Sequence, residues 1–332
     1  SVKNIKIGNV ELPDFPLLLA PKEDVSDPPF RRLCKMQGAD LMYSEFISSE
    51  GLIRDAIKSR KKLDIFDYER PVGIQIFGGD EEAMAMSAKI VEAVQPDLVD
   101  INFGCPVKKV VSKGAGAGVL KDIDLMVNLT KAVVNSTELP VTVKTRLGWD
   151  SESINIEEVA ERLQDAGIKA LTIHARTRTQ MYKGEADWEY ISKVKNNPNI
   201  EIPIFGNGDI DSPEKAKEYR EKYNVDGMMI GRAAIGYPWI FNEVKHFFRT
   251  GEKLPEPTLK DRLDAVKNHA EWSVEWKGER AGLVEMRQHY GNYFRGIPYF
   301  KEFRSRFLQV LTIQEMNDLL QEIYTKIAQE EI

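Results

Sequence analysis

Short apolar runs recur along the first 230 residues, about every 25 to 40 positions, and each ends in glycine, proline, asparagine or a charge. Eight of them read as strands: Leu17–Pro21, Leu41–Phe46, Val72–Phe77, Leu98–Phe103, Val141–Leu147, Ala170–Ala175, Ile202–Gly206 and Gly227–Gly231. Between most of them lie stretches with helical apolar spacing, such as Glu82–Val94 and Ile156–Ala166, the latter closing at Gly167 as a helix C-terminus should. Eight strand–helix repeats predict a (β/α)8 TIM barrel of the α/β class. A doubly wound sheet is the rival, but it would bring a glycine fingerprint after the first strand. The first strand instead ends Ala20-Pro21-Lys22-Glu23-Asp24, without glycine.

Beyond a proline-containing linker at Thr250–Pro257 the pattern turns helical, so the chain divides into a barrel over 1–250 and a small all-helical C-terminal domain of about four helices over 258–332. Thr312-Ile313-Gln314-Glu315 reads as a capping box opening the last helix. Met286–Phe307 interleaves Arg287, Arg295, Lys301, Arg304 and Arg306 with Tyr290, Tyr293, Phe294, Tyr299, Phe300, Phe303 and Phe307. Such interleaving suits phosphate contact plus base stacking, although a solvated helix with its aromatics in the core would look similar.

Barrel active sites form at the C-terminal ends of the strands, and the polar residues collect there. Strand two ends at Ser44 and Glu45, strand three carries Gln75, and strand four exits at Asn102 and Cys105. Strand five carries Lys144 and Arg146, and strand six His174 and Arg176. Strands seven and eight lead into Gly206-Asn207-Gly208-Asp209 and Gly231-Arg232, the usual phosphate-binding loops of this architecture. Cys105, held between Gly104 and Pro106, is the candidate for catalysis, while Cys34 reads as core. Gly114–Gly118 reads as the flexible end of the loop that carries Cys105.

The chain has 42% hydrophobic and 30% charged residues, enough for a full core, and a net charge of −6. That total argues against nucleic acid as a partner unless basic residues gather on one face. No apolar run approaches the ~20 residues of a membrane span, and the first residues lack a signal peptide's apolar core. With two cysteines, a reducing cytoplasmic location is expected. No metal site and no membrane contact are expected, and the protein is expected to be a monomer.

Several segments together carry a resemblance. They are Ala20-Pro21 with Val25-Ser26-Asp27 and Pro29-Phe30-Arg31, then Gln75, Asn102-Phe103-Gly104-Cys105-Pro106, and Lys144-Thr145-Arg146. The most specific is His174-Ala175-Arg176-Thr177-Arg178-Thr179-Gln180-Met181-Tyr182-Lys183-Gly184. Gly206–Ile210, Gly231–Ala234 and the stretch Gly291–Arg304 complete it. In this order they resemble the tRNA-dihydrouridine synthases, flavin enzymes that reduce selected uridines in tRNA, over nearly the whole chain.

The resemblance implies FMN as cofactor, with NADPH or NADH as reductant, and tRNA as partner. Pro21, Lys22, Gln75, Lys144 and His174 would surround the flavin ring, and Asn207, Gly208, Asp209, Gly231 and Arg232 its phosphate. A hydride would pass to uracil C6, and Cys105, neutral in a site without close cations, would give a proton to C5. Asn102 and Arg146 would hold the uridine. Glu45, Arg176, Arg178, Tyr182, Arg287, Arg295, Lys301 and Arg304 would meet the RNA.

One position departs from the family pattern: Lys22 stands where methionine is usual. A buried, unpaired ammonium is costly, so an outward rotamer or pairing with Glu23 or Asp24 is expected, and Lys22→Met is expected to tighten FMN retention. Two rival functions share most of this pattern. A small-molecule FMN oxidoreductase of the dihydroorotate or dihydropyrimidine dehydrogenase type would not need the helical domain. A non-catalytic RNA-binding relative would purify without flavin.

Overall fold

The computed structural model describes residues 3–332. An N-terminal hairpin, β1 (Ile5–Ile7) and β2 (Val10–Leu12), precedes β3 (Leu17–Leu19), β4 (Met42–Tyr43), β5 (Ile47–Ser48), β6 (Val72–Phe77), β7 (Leu98–Phe103), β8 (Val141–Arg146), β9 (Ala170–His174), β10 (Ile204–Asn207) and β11 (Gly227–Ile230). The last nine form a parallel sheet ordered β3-β11-β10-β9-β8-β7-β6-β4, with β5 also on β6. A parallel bridge from Leu18 to Leu41 joins its two ends, so the sheet closes into an eight-position barrel.

The predicted second strand, Leu41–Phe46, is broken in two. Ser44 N–H still donates to Gly73 O at 2.9 Å, but the Ser44 hydroxyl accepts from Gln75 N–H at 3.1 Å in place of a backbone carbonyl and donates to Glu45 O at 2.8 Å, which interrupts the ladder between β4 and β5. Hydrogen-bonding side chains compete here with the backbone pairing. Helices pack outside, with their starts set by short polar caps: Asp80 before Glu81–Ala93, Asp122 before Ile123–Val134, and Ser212 before Pro213–Tyr223. Gly167 ends Ile156–Ala166 at φ 111°, as predicted.

The hairpin was not read from the sequence. Its Ile5, Ile7 and Leu12 pack under Leu18, Leu41, Tyr43, Leu98, Phe205 and Met229, closing the bottom of the barrel. Each such burial contributes on the order of 2 kcal/mol. The opposite, C-terminal end is left for the site.

Four helices follow the barrel: Leu259–Lys277, Glu279–Tyr293, Lys301–Phe307 and Ile313–Ala328. They share a core of their own that includes Leu263, Val266, Leu283, Met286, Leu320 and Ile323. The reciprocal capping box lies at Thr258 and Asp261. At Thr312 only half of the expected box forms, because the Glu315 carboxylate turns to Leu311 N–H instead. The helical unit docks on the rim at the C-terminal ends of the strands. Phe30 packs against His269 and His289 at 5.5 and 4.9 Å, Lys277 pairs with Asp27 and Glu285, and Asn292 Nδ2 donates to Ile235 O at 2.6 Å. Gly236 permits this approach, since a Cβ there would lie 2.0 Å from His289 O. No helix among the described residues is long and apolar enough to cross a membrane.

Candidate active site

A cavity of about 690 Å³ opens at the C-terminal ends of the strands. Nine of the ten expected cofactor residues line it: Pro21, Lys22, Lys144, His174, Asn207, Gly208, Asp209, Gly231 and Arg232. Arg176, Tyr182 and Arg295 line it as well, the last from the helical unit. Sequence reasoning missed Lys215, Asp211 and Asn292, which also face it. Lys215 lies in the first turn of its helix and carries no motif that could have marked it.

Gln75 is the exception. It is wholly buried, its Nε2 donating to Asp100 at 2.8 Å and its Oε1 accepting from Asn102 Nδ2 at 3.1 Å. Asn102 in turn accepts from Gly104 N–H at 2.9 Å and Cys105 N–H at 2.8 Å through one oxygen. These two amides therefore shape the turn that presents Cys105, and their hydrogen-bonding capacity is largely used inside the protein.

Lys144 sits beside Asn102 in register, on the neighbouring strand. Its ammonium has no carboxylate within salt-bridge distance among the described residues. Burial, then Arg146, pulls its pKa down to about 8, while Asp100 opposes the shift. Asp100 lies beneath, hydrogen-bonded to Gln75 and Thr142, and burial raises its pKa to about 6. A cation without a partner in a cavity wall is a ready site for a ligand's negative charge.

Cys105 does not itself line the cavity; it sits within reach of the charges of Lys144, which does, and of Arg146, in a small apolar cluster with Val110, Ala115, Phe46 and Phe77. Burial pushes its thiol pKa up. The expected absence of cations is corrected: Lys144 and Arg146 both act on the thiol, but desolvation outweighs them. The thiol therefore stays protonated at neutral pH. Its loop is more ordered than expected, because Gly116–Lys121 forms a 3-10 helix and Ala117 N–H donates to Cys105 O at 3.0 Å.

Several arginines are braces. Arg146 donates to Gly104 O, Thr177 O and Met181 O, tying three segments of the rim together. Arg176 is held by Lys183 O, Gly184 O and Asp209, and its Nη1 meets His174 Nε2 at 3.2 Å. Asp209 also takes Arg232 at 3.3 Å and Ala186 N–H at 2.8 Å, so it orients guanidinium groups. Asn207 Nδ2 is engaged by Met229 O. Gly208, at φ 127°, must be glycine, since a Cβ would lie 2.8 Å from Ala186 and 3.2 Å from the His174 ring.

Lys22 is exposed at the cavity edge, and its pKa is lowered by partial burial and by Arg232. Of the two expected arrangements the structure has the outward one, and no pairing with Glu23 or Asp24 forms. Glu23 faces Lys62 at 3.5 Å and Lys58 at 3.9 Å. Glu45 is buried off the cavity and accepts from Asp24 N–H, and burial raises its pKa.

In the helical unit, Arg287, Arg295, Lys301 and Arg304 are exposed. The interleaved aromatics are not available to bases: Tyr290, Tyr293, Phe294, Phe300 and Phe307 form that unit's core. Tyr299, 99% exposed, is the exception. Arg306 is engaged by Glu322 at 2.5 Å.

A dihydrouridine synthase family model matches residues 18–329. A probable tRNA-dihydrouridine synthase of Rickettsia bellii is 39% identical, over 98% of this chain and 100% of its own. A tRNA-dihydrouridine synthase B of Pseudomonas aeruginosa is 41% identical over 91% and 90%. Among solved structures, a 2-naphthoyl-CoA reductase complexed with 2-naphthoyl-CoA aligns at TM-score 0.59 and 13% identity, over 74% of this chain and 52% of that one. A histamine dehydrogenase from Rhizobium sp. 4-9 aligns at 0.56 and 10%, over 81% and 50%. These two likenesses concern the barrel fold alone.

Proposed function

Because the chain belongs to the dihydrouridine synthase family, an enzyme family, we propose that it reduces the C5–C6 double bond of selected uridines in tRNA, with FMN as cofactor and NADPH or NADH as reductant. One observation carries this reading. The same rim holds an unpaired ammonium facing a large cavity, Lys144, and a buried neutral thiol, Cys105.

The residues fit a flavin mononucleotide. Lys144 and His174 line the cavity from β8 and β9, while Lys215, Arg232 and the backbone at Gly208 and Gly231 suit a phosphate. When bound and reduced, FMN would supply the hydride for uracil C6. Lys144 would hold the electron-rich edge of the ring with its ammonium. Cys105 gives its Sγ proton to C5, so that one hydride and one proton saturate the double bond. The resulting thiolate is steadied by Lys144 and Arg146 until it takes a proton from solvent. Arg295 and the exposed basic residues of the helical unit supply charge for the RNA backbone.

The test is dihydrouridine content, by mass spectrometry, in tRNA lacking the modification after incubation with protein, FMN and NADPH. Wild type forms the product, and Cys105→Ala loses roughly 10²- to 10⁴-fold, the usual worth of a general acid. Full activity in Cys105→Ala would remove the cysteine as proton donor. No product, despite bound flavin that NADPH reduces, would turn the reading to a small-molecule reductase.

A further inference from the structure

Outside the cavity, Trp149 holds two cations against its ring. Lys121 Nζ lies 3.8 Å from the ring centroid, and Arg178 Cζ lies 5.0 Å from it. Neither side chain has a carboxylate partner among the described residues. The Arg178 guanidinium makes no hydrogen bond within the protein, although its Nε is buried. A guanidinium has five donors and no acceptor, and its buried Nε–H is costly to leave without a partner. Packing on an aromatic face holds the cations in place without neutralising them, as a carboxylate would.

The arrangement is built. Arg178 N–H donates to Gly148 O and Thr179 N–H to Trp149 O, both at 3.0 Å, locking the two loops together. A Cβ at Gly148 would lie 2.6 Å from Ser153 O, so the Trp149 turn depends on glycine. A second cavity, of about 460 Å³, runs alongside and is lined by Lys121, Trp149 and Asn155 among others. Residues 104–121 carry Lys108, Lys109, Lys113 and Lys121 and no acid. This excess of charge suits a polyanion.

Position identifies the polyanion. Lys121 closes the loop that presents Cys105, and Arg178 follows Arg176 of the active cavity by two residues. The Trp149 loop follows β8, three strand positions from β11, where the helical unit docks. A strand touching both places would cross the mouth of the cavity.

We propose that Lys121, Trp149 and Arg178 form a subsite for a phosphodiester of the RNA strand beside the reacting nucleotide. This rests on the function proposed above. Held there, a phosphate takes the free donors of Arg178 and the charge of Lys121, and it anchors the far end of the Cys105 loop.

The experiment measures binding of an unmodified tRNA transcript to FMN-loaded protein across a range of KCl. It compares wild type, Lys121→Gln, Arg178→Gln and the double variant, with FMN affinity measured in parallel. Each single change should weaken tRNA binding by about 5- to 10-fold and reduce the slope of log K against log salt by about 1, with FMN affinity unchanged. Arg178→Lys should recover the slope but only part of the affinity. Unchanged slope and affinity in the double variant, with wild type still binding tRNA and forming dihydrouridine, would overturn the subsite and leave the function standing. A wild type that neither binds tRNA nor forms dihydrouridine overturns both. If the double variant also loses FMN, Lys121→Gln decides, because that side chain is exposed and lies outside the cavity, so its loss removes the charge and the contact with Trp149 without opening the core.

Discussion

Arg176 Nη1 lies 3.2 Å from His174 Nε2, and this contact sets the histidine's tautomer. Arginine only donates, so Nε2 accepts and the ring proton is on Nδ1. Burial, followed by Arg146, Lys144, Arg176 and Arg232, holds the His174 pKa well below its ordinary value. The imidazole therefore stays neutral through the physiological range. A ¹H–¹⁵N NMR titration of the four histidines should show His174 as the Nδ1–H tautomer, with its midpoint well below the ordinary histidine range. Arg176→Met removes both the donor and a cation, so the midpoint should move upward. An Nε2–H signal in wild type would contradict the contact.

Flavin binding should lose strength on the alkaline side. Lys144 has its pKa lowered to about 8, so its charge is present below that pH and is lost as pH rises through it. A charge-assisted hydrogen bond is worth about 1.5–3 kcal/mol, so FMN affinity should fall roughly 10- to 100-fold at most across this limb. Lys144→Met should bind weakly and without the limb. Asp100 raises the Lys144 pKa, so Asp100→Asn should move the limb to lower pH. Fluorescence quenching of FMN at a series of pH values reads all three. A limb that stays put in Asp100→Asn would count against the coupling.

Much of this architecture was legible because the barrel strands are apolar runs cut short by residues that cannot continue them. β6 and β7 match their predicted bounds residue for residue. The hairpin was not legible: its strands have three residues each, too few to show a period. Most of the polar cavity-lining residues were found by their place on or just after the strands; Lys215, Asp211 and Asn292 were not. Gln75 and Asn102 share that place, but they satisfy each other, and a strand position does not tell whether a polar side chain finds a partner on the next strand. The aromatics of 286–307 misled for a related reason. Helical spacing puts them on one face, and that face is the core of the helical unit.

Lys22→Met should weaken FMN binding. The family pattern, with methionine usual at this position, points the other way. In the structure Lys22 is exposed, beside Arg232 at the edge of a cavity suited to an anion. Two like charges repel when the cavity holds no anion, and both are relieved by one. The loss should be about 3- to 10-fold at low salt and shrink as salt rises, as expected for a partly exposed charge. Isothermal titration with FMN and with riboflavin, which lacks the phosphate, locates the effect. A loss confined to FMN places Lys22 at the phosphate, and an equal loss for both places it at the ring. Tighter binding of either ligand would restore the expectation drawn from the family pattern.

Arg31 and Glu69 form a buried bidentate pair on which the docking rim depends. Arg31 Nε meets Glu69 Oε1 at 2.5 Å and Nη2 meets Oε2 at 3.1 Å, while Nη1 and Nη2 also donate to Ser26 O and Asp64 O. Both side chains are almost wholly excluded from solvent. The guanidinium thus ties the helix Pro28–Met36 to the turn before β6, next to Phe30, which packs against the helical unit. Replacing one partner of such a pair strands the other charge, at about 3–5 kcal/mol, whereas replacing both by apolar groups costs much less. Urea denaturation should therefore show Arg31→Met destabilised by about that much and Arg31→Met/Glu69→Leu recovering part of it. The double variant still leaves Ser26 O and Asp64 O without their donor, so recovery should stay incomplete. A double variant no more stable than Arg31→Met would mean that these two carbonyls, rather than the stranded carboxylate, carry the cost.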